Sequence, residues 1–358
     1  MEKLFSILIP LYNAENNIGT LVSSLISQSE GDTEIIVLND GSTDGGLEIC
    51  RKLEAENPDI VRVISRENRG AVRTRRELLE ASTGEWIWIP DSDDGVADNA
   101  LSMLRECIAK HPEADMILFD YDKLIDGESV RCSQLNIDSE VIEDKNVILS
   151  GIALSDSLNA LWSKIFRRSC VDFGEDYSRF ENVRRANDKL QMLPIATRAE
   201  NIIYLRESLY YYDHRNTGSL TRSFGKYTAS SLLTVMERVN EFIDIWGMRD
   251  SLEKRFLNYV FLTAYRQMRA YILCDAEWAT DTESFYKFLT SDTLVGKCLA
   301  EVDTGDLPRS IRKGCEMFRS GQLAKLERFV RANDKKANFH VKVSKLLSRF
   351  GKRGKAKK

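Results

Sequence analysis

The first third of the chain alternates between two periodicities, and that alternation restricts the fold more than any other feature. Apolar, β-prone runs at 5–11, 34–39, 61–65, 85–89 and 116–121 are separated by stretches of helical spacing at 16–28, 44–55, 70–81 and 99–110. Val22, Leu25 and Ile26 recur on one helical face, as do Leu47, Cys50 and Leu53. Strand and helix in strict turn predict an α/β unit, an open and mostly parallel sheet with helices on both faces. Such sheets bind ligands beyond the carboxyl ends of their strands. Those ends coincide with the polar segments 10–13, 40–44 and 91–94.

The last of these segments is the most chemically loaded. Trp86-Ile87-Trp88-Ile89 runs straight into Pro90-Asp91-Ser92-Asp93-Asp94, three carboxylates within four residues. Like charges this close raise one another's pKa values, and a cation relieves the repulsion. A hard divalent ion such as Mg2+ or Mn2+ suits oxygen ligands and keeps positions open for substrate phosphates. The competing reading is an acidic turn in which Asp94 or Asp98 caps the helix at 99–110.

Several classes of protein are excluded or disfavoured. No stretch approaches the roughly 20 apolar residues needed to span a bilayer. The N-terminus enters a strand pattern without the n-region or cleavage site of a secretory leader, so a cytoplasmic chain is expected. Seven scattered cysteines without a CxxC pair suit a reducing compartment and argue against a zinc or disulfide framework. There is no GxGxxG after the first strand, no GxxxxGK[ST], no HExxH and no GxSxG. His111, His214 and His340 are too dispersed for a zinc site.

Beyond residue 121 the regularity lapses until about 159, a polar and acidic region read as an insertion. It resumes with 162–167, a helix over 188–197 and short strands near 202–205 and 209–212. After residue 222 the helical period dominates, at 232–245, 252–273, 284–289, 311–318 and 323–330. Three parts are expected: 1–222 as the α/β unit, 223–334 as a helical domain, and 335–358 as a tail.

Several motifs carry a resemblance to a known family. Phe5-Ser6-Ile7-Leu8-Ile9-Pro10-Leu11-Tyr12-Asn13-Ala14-Glu15, Leu38-Asn39-Asp40-Gly41-Ser42-Thr43-Asp44, Glu67-Asn68-Arg69-Gly70, Arg75, Ala81-Ser82-Thr83-Gly84-Glu85-Trp86 and Asp91-Ser92-Asp93-Asp94 follow in order. In content and spacing this set resembles family 2 glycosyltransferases over residues 4–125. A weaker similarity continues to about residue 224 through Trp162-Ser163-Lys164-Ile165-Phe166, Ala186-Asn187-Asp188 and Leu209-Tyr210-Tyr211-Tyr212. The resemblance implies a GT-A fold and sugar transfer from a nucleotide sugar with inversion at the anomeric carbon. The donor half would be 1–125 and the acceptor half 126–222.

Carried over residue by residue, the resemblance places Tyr12 against the uracil of a UDP-sugar, with Pro10 shaping that pocket and Asp40 hydrogen-bonded to the base. Glu15, Arg75 and Ser92 complete the donor contacts, Asp91 binds the ribose, and Asp93 is the direct metal ligand with Asp91 beside it. Asp188 becomes the general base for the acceptor hydroxyl, with Glu181 the next carboxylate to examine. His214 is a further metal candidate, Trp162 an acceptor platform, and Arg76 stands where the family usually has Asn. The implied cofactor is Mn2+ or Mg2+, and the acceptor a glycan or lipid-linked glycan. No nucleic-acid partner is expected.

Two other classes compete. A sugar-nucleotide nucleotidyltransferase would need a Gly-rich basic loop after the first strand, where Leu11-Tyr12-Asn13-Ala14 stands. A non-catalytic nucleotide-sugar-binding module would lack the base, and Asp188 speaks against it.

The tail adds a partner. Residues 335–358 hold ten lysines or arginines and no acid, so the remainder carries −14 within a formal net charge of −4. Val343, Leu346, Leu347 and Phe350 make an apolar stripe at helical spacing flanked by Lys342, Lys345 and Arg349. That pattern predicts a basic amphipathic helix on an anionic membrane surface, hence a peripheral location at the inner face of the cell membrane.

Overall fold

The computed structural model describes residues 3–125, 128–213, 225–274, 279, 281–307 and 309–334. His214 and the tail 335–358, both named above, lie outside the described residues. The chain divides into two compact units. The first comprises the described residues of Met1–Leu149, Leu158–Asn182 and Asn187–Ser219; the second, those of Ser150–Ser157, Val183–Ala186 and Leu220–Lys358.

The alternation seen in the sequence is realised. β1 (Phe5–Leu11), α1 (Ile18–Ser27), β2 (Thr33–Asp40), α2 (Gly46–Glu56), β3 (Val61–Arg66), α3 (Ala71–Ala81), β4 (Trp86–Trp88), β5 (Gly95–Val96) and α4 (Ala100–Lys110) follow in turn. The first four strands are parallel in the order β3-β2-β1-β4. β1 and β2 are almost wholly buried, which is why they read as continuous apolar runs instead of alternating ones. Their core includes Phe5, Ile7, Ile9, Leu25, Ile35, Val37, Trp86, Trp88 and Leu104.

The rest of the sheet departs from the expected plan. The interval 122–159 is irregular only in part: β6 (Met116–Ile125) pairs antiparallel with β7 (Glu128–Cys132), and α5 (Asn146–Leu154) follows an irregular stretch over 133–145. β8 (Lys164–Arg167) lies antiparallel between β4 and β6, so the sheet is mixed. After α6 (Asn187–Arg198), the two short strands expected near 202–205 and 209–212 are one, β9 (Ile202–Asp213). The exposed pair Arg206-Glu207 bulges out where the register with β6 shifts, and that interruption hid the continuity.

The second unit is helical: α7 (Thr228–Ile245), α8 (Arg249–Ile272), α9 (Thr282–Ser291), α10 (Thr293–Glu301), α11 (Arg309–Arg319) and α12 (Leu323–Asp334). The sequence reading missed α10. Its signal was Asp292, whose side chain accepts from the Val295 N–H at 2.9 Å as an N-cap. Gly314 lets α11 meet α8 closely, because a Cβ there would fall 2.0 Å from the Tyr265 hydroxyl. Among the described residues, no helix is long and apolar enough to cross a membrane.

Gly84 sets how β4 joins β1. A Cβ on it would lie 2.7 Å from the Phe5 carbonyl carbon and the Ser6 nitrogen, while its N–H donates to Ser6 Oγ at 2.8 Å. Gly84→Ala should therefore destabilise the protein by about 1–3 kcal/mol, the usual cost of overpacking. Urea unfolding checks this; an unchanged midpoint would show that β1 yields without penalty.

Candidate active site at the strand ends

The loops after β1 and β2 are stapled together by side chains. Asn13, with φ +50°, accepts from the Thr43 N–H at 2.8 Å, and its own N–H reaches Ser42 Oγ at 3.1 Å. Glu15 accepts from the Gly45 N–H at 2.8 Å, at the mouth of α2, while its N–H donates to Asp44 at 2.9 Å. Glu15, expected on the donor, is thus engaged in shaping the loop. Tyr12 stands out 54% exposed beside Pro10, a flat ring presented at the strand end.

Asp40 is buried and works inward. One oxygen accepts from the Arg69 N–H at 2.7 Å and the other from the Gly70 N–H at 2.9 Å, and Arg66 pairs with it from the side. Arg66 also binds Glu77 at 2.6 Å, so Asp40 locks the turn that starts α3. Gly70 sits at φ +86°, and Gly41 at φ +73° with no room for a Cβ against the Asn68 nitrogen.

The acidic triplet is organised by a residue more than a hundred positions away. The Tyr210 hydroxyl donates to Asp94 Oδ2 at 2.7 Å and accepts from the Asp91 N–H at 3.1 Å. Asp94 Oδ1 also accepts from the Asp213 N–H at 2.9 Å. Asp94 therefore fastens β9 to this turn and does not cap α4, whose N-cap Asn99 makes no side-chain cap bond; Asp98 is not the cap either. Asn17 Nδ2 holds the Asp93 carbonyl at 2.7 Å, and Ser92 is buried. Burial pushes the Asp94 carboxyl up to about 8, with Asp91 and Asp93 adding to the rise and the two hydrogen bonds opposing it. Asp91 is pushed up to about 7, chiefly by burial, against the pull of Arg75.

Arg75 joins this turn to α6. Its Nη2 meets Asp91 Oδ1 at 3.2 Å, and its Nη1 meets Asp188 Oδ1 at 2.9 Å and Asn187 Oδ1 at 2.7 Å. The guanidinium is buried, and its Nε has no partner. Directly before Asn187, Ala186 adopts φ +54°, unusual for a residue with a Cβ. Arg76, which stands where the family usually has Asn, lies 4.7 Å over the Tyr177 ring. Trp162 stacks near-parallel to Tyr210 and Tyr212, centroids at 4.6 and 5.7 Å, with Tyr121 edge-on at 4.7 Å. Its Trp88-bound carbonyl fixes it further, at 2.7 Å. Tyr210, Asn187 and the buried Lys164 had no individual role in the sequence reading. Only their place in the matching motifs could have flagged them.

A divalent ion is compatible with this donor set. Among the described residues no three His, Cys, Asp or Glu side chains converge as a ready-made cage. Asp94 is taken by Tyr210 and Asp213, so Asp93 with Asp91 are the residues that would hold Mg2+ or Mn2+. The remaining positions would fall to phosphate and water, the usual open arrangement for Mg2+. The Asp91 and Asp94 carboxyls are raised chiefly by burial and further by neighbouring carboxylates, and a bound cation would favour their charged forms.

Residues 6–139 match the glycosyl transferase family 2 model. Over that segment, the chain is similar to family 2 glycosyltransferases. It is 27% identical over 308 residues to glycosyltransferase GlyA of Streptococcus pneumoniae serotype 4, covering 83% of this chain but only 42% of that protein. It is 26% identical to glycosyltransferase GlyG of the same organism, covering 80% of this chain and 93% of the relative. The crystal structure of S. aureus TarS residues 1–349 shares the fold, with a TM-score of 0.62 and 19% identity over 94% of this chain and 92% of that one. Its complex with UDP-GlcNAc aligns at 0.56 over 94% and 93%. The mixed sheet with flanking helices is the GT-A fold expected of the family.

The raised carboxyls have a pH signature. A carboxyl whose folded pKa exceeds its unfolded value binds more protons when folded, so stability falls as pH rises from the ordinary range near 4 toward 7–8. In EDTA the melting temperature should decline between those limits, and Asp94→Asn should flatten part of the decline. A melting temperature that rises over this interval would contradict the raised carboxyls.

Proposed function

We propose that the protein transfers a sugar from a UDP-sugar to a hydroxyl of a glycan or lipid-linked glycan, by single displacement with inversion and with Asp188 as base. The supporting observation is the shared guanidinium of Arg75, which brings Asp188 beside the Asp91–Asp94 turn at one end of the sheet. A base for the acceptor thereby stands next to the donor carboxylates, as an in-line displacement requires. The family 2 match over residues 6–139 and the likeness to TarS, which has been solved with UDP-GlcNAc, support the donor class.

In this reading Tyr12 covers the uracil, Asp40 and the loop it locks border the base, and Asp91 faces the ribose. Asp93 and Asp91 would hold Mg2+ or Mn2+, which when bound offsets the charge of the departing diphosphate. Arg75 orients Asp188, which takes the proton of the attacking hydroxyl. Asp93→Ala should abolish transfer and weaken UDP binding in Mn2+ more than in EDTA. Asp188→Asn should lower kcat by roughly 10²–10⁴ with UDP affinity nearly unchanged. Near-normal turnover in Asp188→Asn would move the base elsewhere, Glu181 first.

The helical part and the basic tail serve acceptor delivery in this proposal, with residues 335–358 on an anionic leaflet. Each basic residue there contributes about 1 kcal/mol of attraction, weakened by salt. Full-length protein should cosediment with phosphatidylglycerol vesicles at low salt and be released as salt rises. A variant lacking 335–358 should stay in solution while still binding UDP. Equal sedimentation of both would remove the tail as anchor.

A further inference from the structure

The turn that carries Asp91, Ser92, Asp93 and Asp94 is held at both ends by one hydroxyl. An amide N–H can only donate, so the Tyr210 oxygen accepts from Asp91 at 3.1 Å. Its one proton is then committed to Asp94 Oδ2, at 2.7 Å. The Asp94 N–H returns to the Asp91 carbonyl at 3.3 Å and closes the same loop of chain. The other oxygen of Asp94 accepts from the Asp213 N–H at 2.9 Å. Both Asp94 oxygens therefore serve β9, which leaves Asp91 and Asp93 as the pair assigned above to a divalent ion.

The phenol is built as a fixed post. Tyr210 is fully buried, its ring stacked on Trp162 at 4.6 Å and 6.5 Å from Trp88, which Phe119 meets edge-on at 5.5 Å. Its backbone pairs with Val96, two residues past Asp94, so the exit of the turn and the hydroxyl are tied to one residue of β9. Tyrosine has only two side-chain torsions, and a packed ring leaves its hydroxyl little freedom to follow a moving turn. A phenylalanine would fill the same space, so packing alone does not account for the hydroxyl. Mg2+, by contrast, demands near-ideal geometry and uses one or two carboxylates beside phosphate oxygens, so a third carboxylate in the turn is best kept away from it.

We propose that Tyr210 is a positioning residue for the cation-holding pair: by fixing the Asp91 amide and drawing Asp94 to β9, it presents Asp91 and Asp93, and not Asp94, to a divalent ion shared with a nucleoside diphosphate. The inference rests on the reading that Asp91 and Asp93 hold the ion. Tyr210 itself touches neither ion nor donor and acts through the turn.

Tyr210→Phe keeps the ring and removes the hydroxyl. One hydroxyl is a small part of a domain's stability, so the variant should fold, with a lower melting temperature. Phe119→Leu is the control, because it loosens the packing under Trp88 without touching the turn. UDP affinity is measured by calorimetry on the full chain, in EDTA and across a series of Mn2+ concentrations, with the melting temperature of each variant. In wild type Mn2+ should tighten UDP binding, and Asp93→Ala should lose that gain. In Tyr210→Phe the Mn2+ concentration giving half the gain should rise about 10–100-fold, with UDP affinity in EDTA within about twofold of wild type. Phe119→Leu should melt lower and keep the wild-type Mn2+ midpoint.

An unchanged Mn2+ midpoint in Tyr210→Phe beside a lowered melting temperature would make the hydroxyl a stabilising contact alone and overturn the proposal. So would an equal loss of UDP affinity with and without Mn2+, or a midpoint that rises as far in Phe119→Leu. A wild-type protein indifferent to Mn2+ would remove the metal reading and the proposal with it. A responsive wild type and an unresponsive Asp93→Ala, beside a Tyr210→Phe that matches wild type, would remove the Tyr210 role alone.

Discussion

The buried guanidinium of Arg75 is the joint on which the site depends. It projects from α3, meets Asp91 at the end of β4, and meets Asn187 and Asp188 at the start of α6. Three elements that are remote in sequence are thereby brought to one charge. Burying a cation is expensive unless it is paired and hydrogen-bonded, so the arrangement is stable only while its partners are in place. Removal of any one would leave charge uncompensated in a poorly solvated place. The Arg75 Nε has no hydrogen-bond partner among the described residues.

Around this joint the strand-end loops are built from side chains that bind backbone. Asp40 holds the Arg69 and Gly70 amides, Glu15 the Gly45 amide, Asn13 the Thr43 amide, and Asp94 the Asp213 amide. The residues that mark the family are for the most part the residues that fix these loops. A carboxylate has more lone pairs than one or two amides consume, so shaping the loop and facing a ligand are compatible tasks. Loops held this way carry little conformational freedom to lose on binding, which favours both affinity and geometry.

The charge distribution is poor for stability and suited to chemistry. Asp91, Asp93 and Asp94 share one turn, with Asp188 nearby, and the buried Arg75 pairs with Asp91 and Asp188. Perturbed carboxyls gathered around a buried guanidinium are characteristic of functional sites. Tyr210 connects this polar cluster to the aromatic packing below it, bonding Asp91 and Asp94 at its hydroxyl and stacking on Trp162 with its ring. A ring that is fully packed can hold its polar tip in a fixed place.

The parallel order of β1 to β4, the helices between them and the polar character of their ends were legible in the sequence. These follow from local periodicity and from segments that lie close in the chain. The spacing of the motifs in residues 4–125 was enough to indicate the family. The long-range partners were not legible. That Asp94 would bind Tyr210 and Asp213 instead of capping α4, that Arg76 would turn to Tyr177, and that β9 would run unbroken past Arg206-Glu207 were decided by the tertiary structure. So was the burial of Lys164. Hydrophobic period reports which face of an element is covered, but the partner of a buried charge is chosen by whichever groups folding brings within reach, and these lie dozens to more than a hundred residues apart.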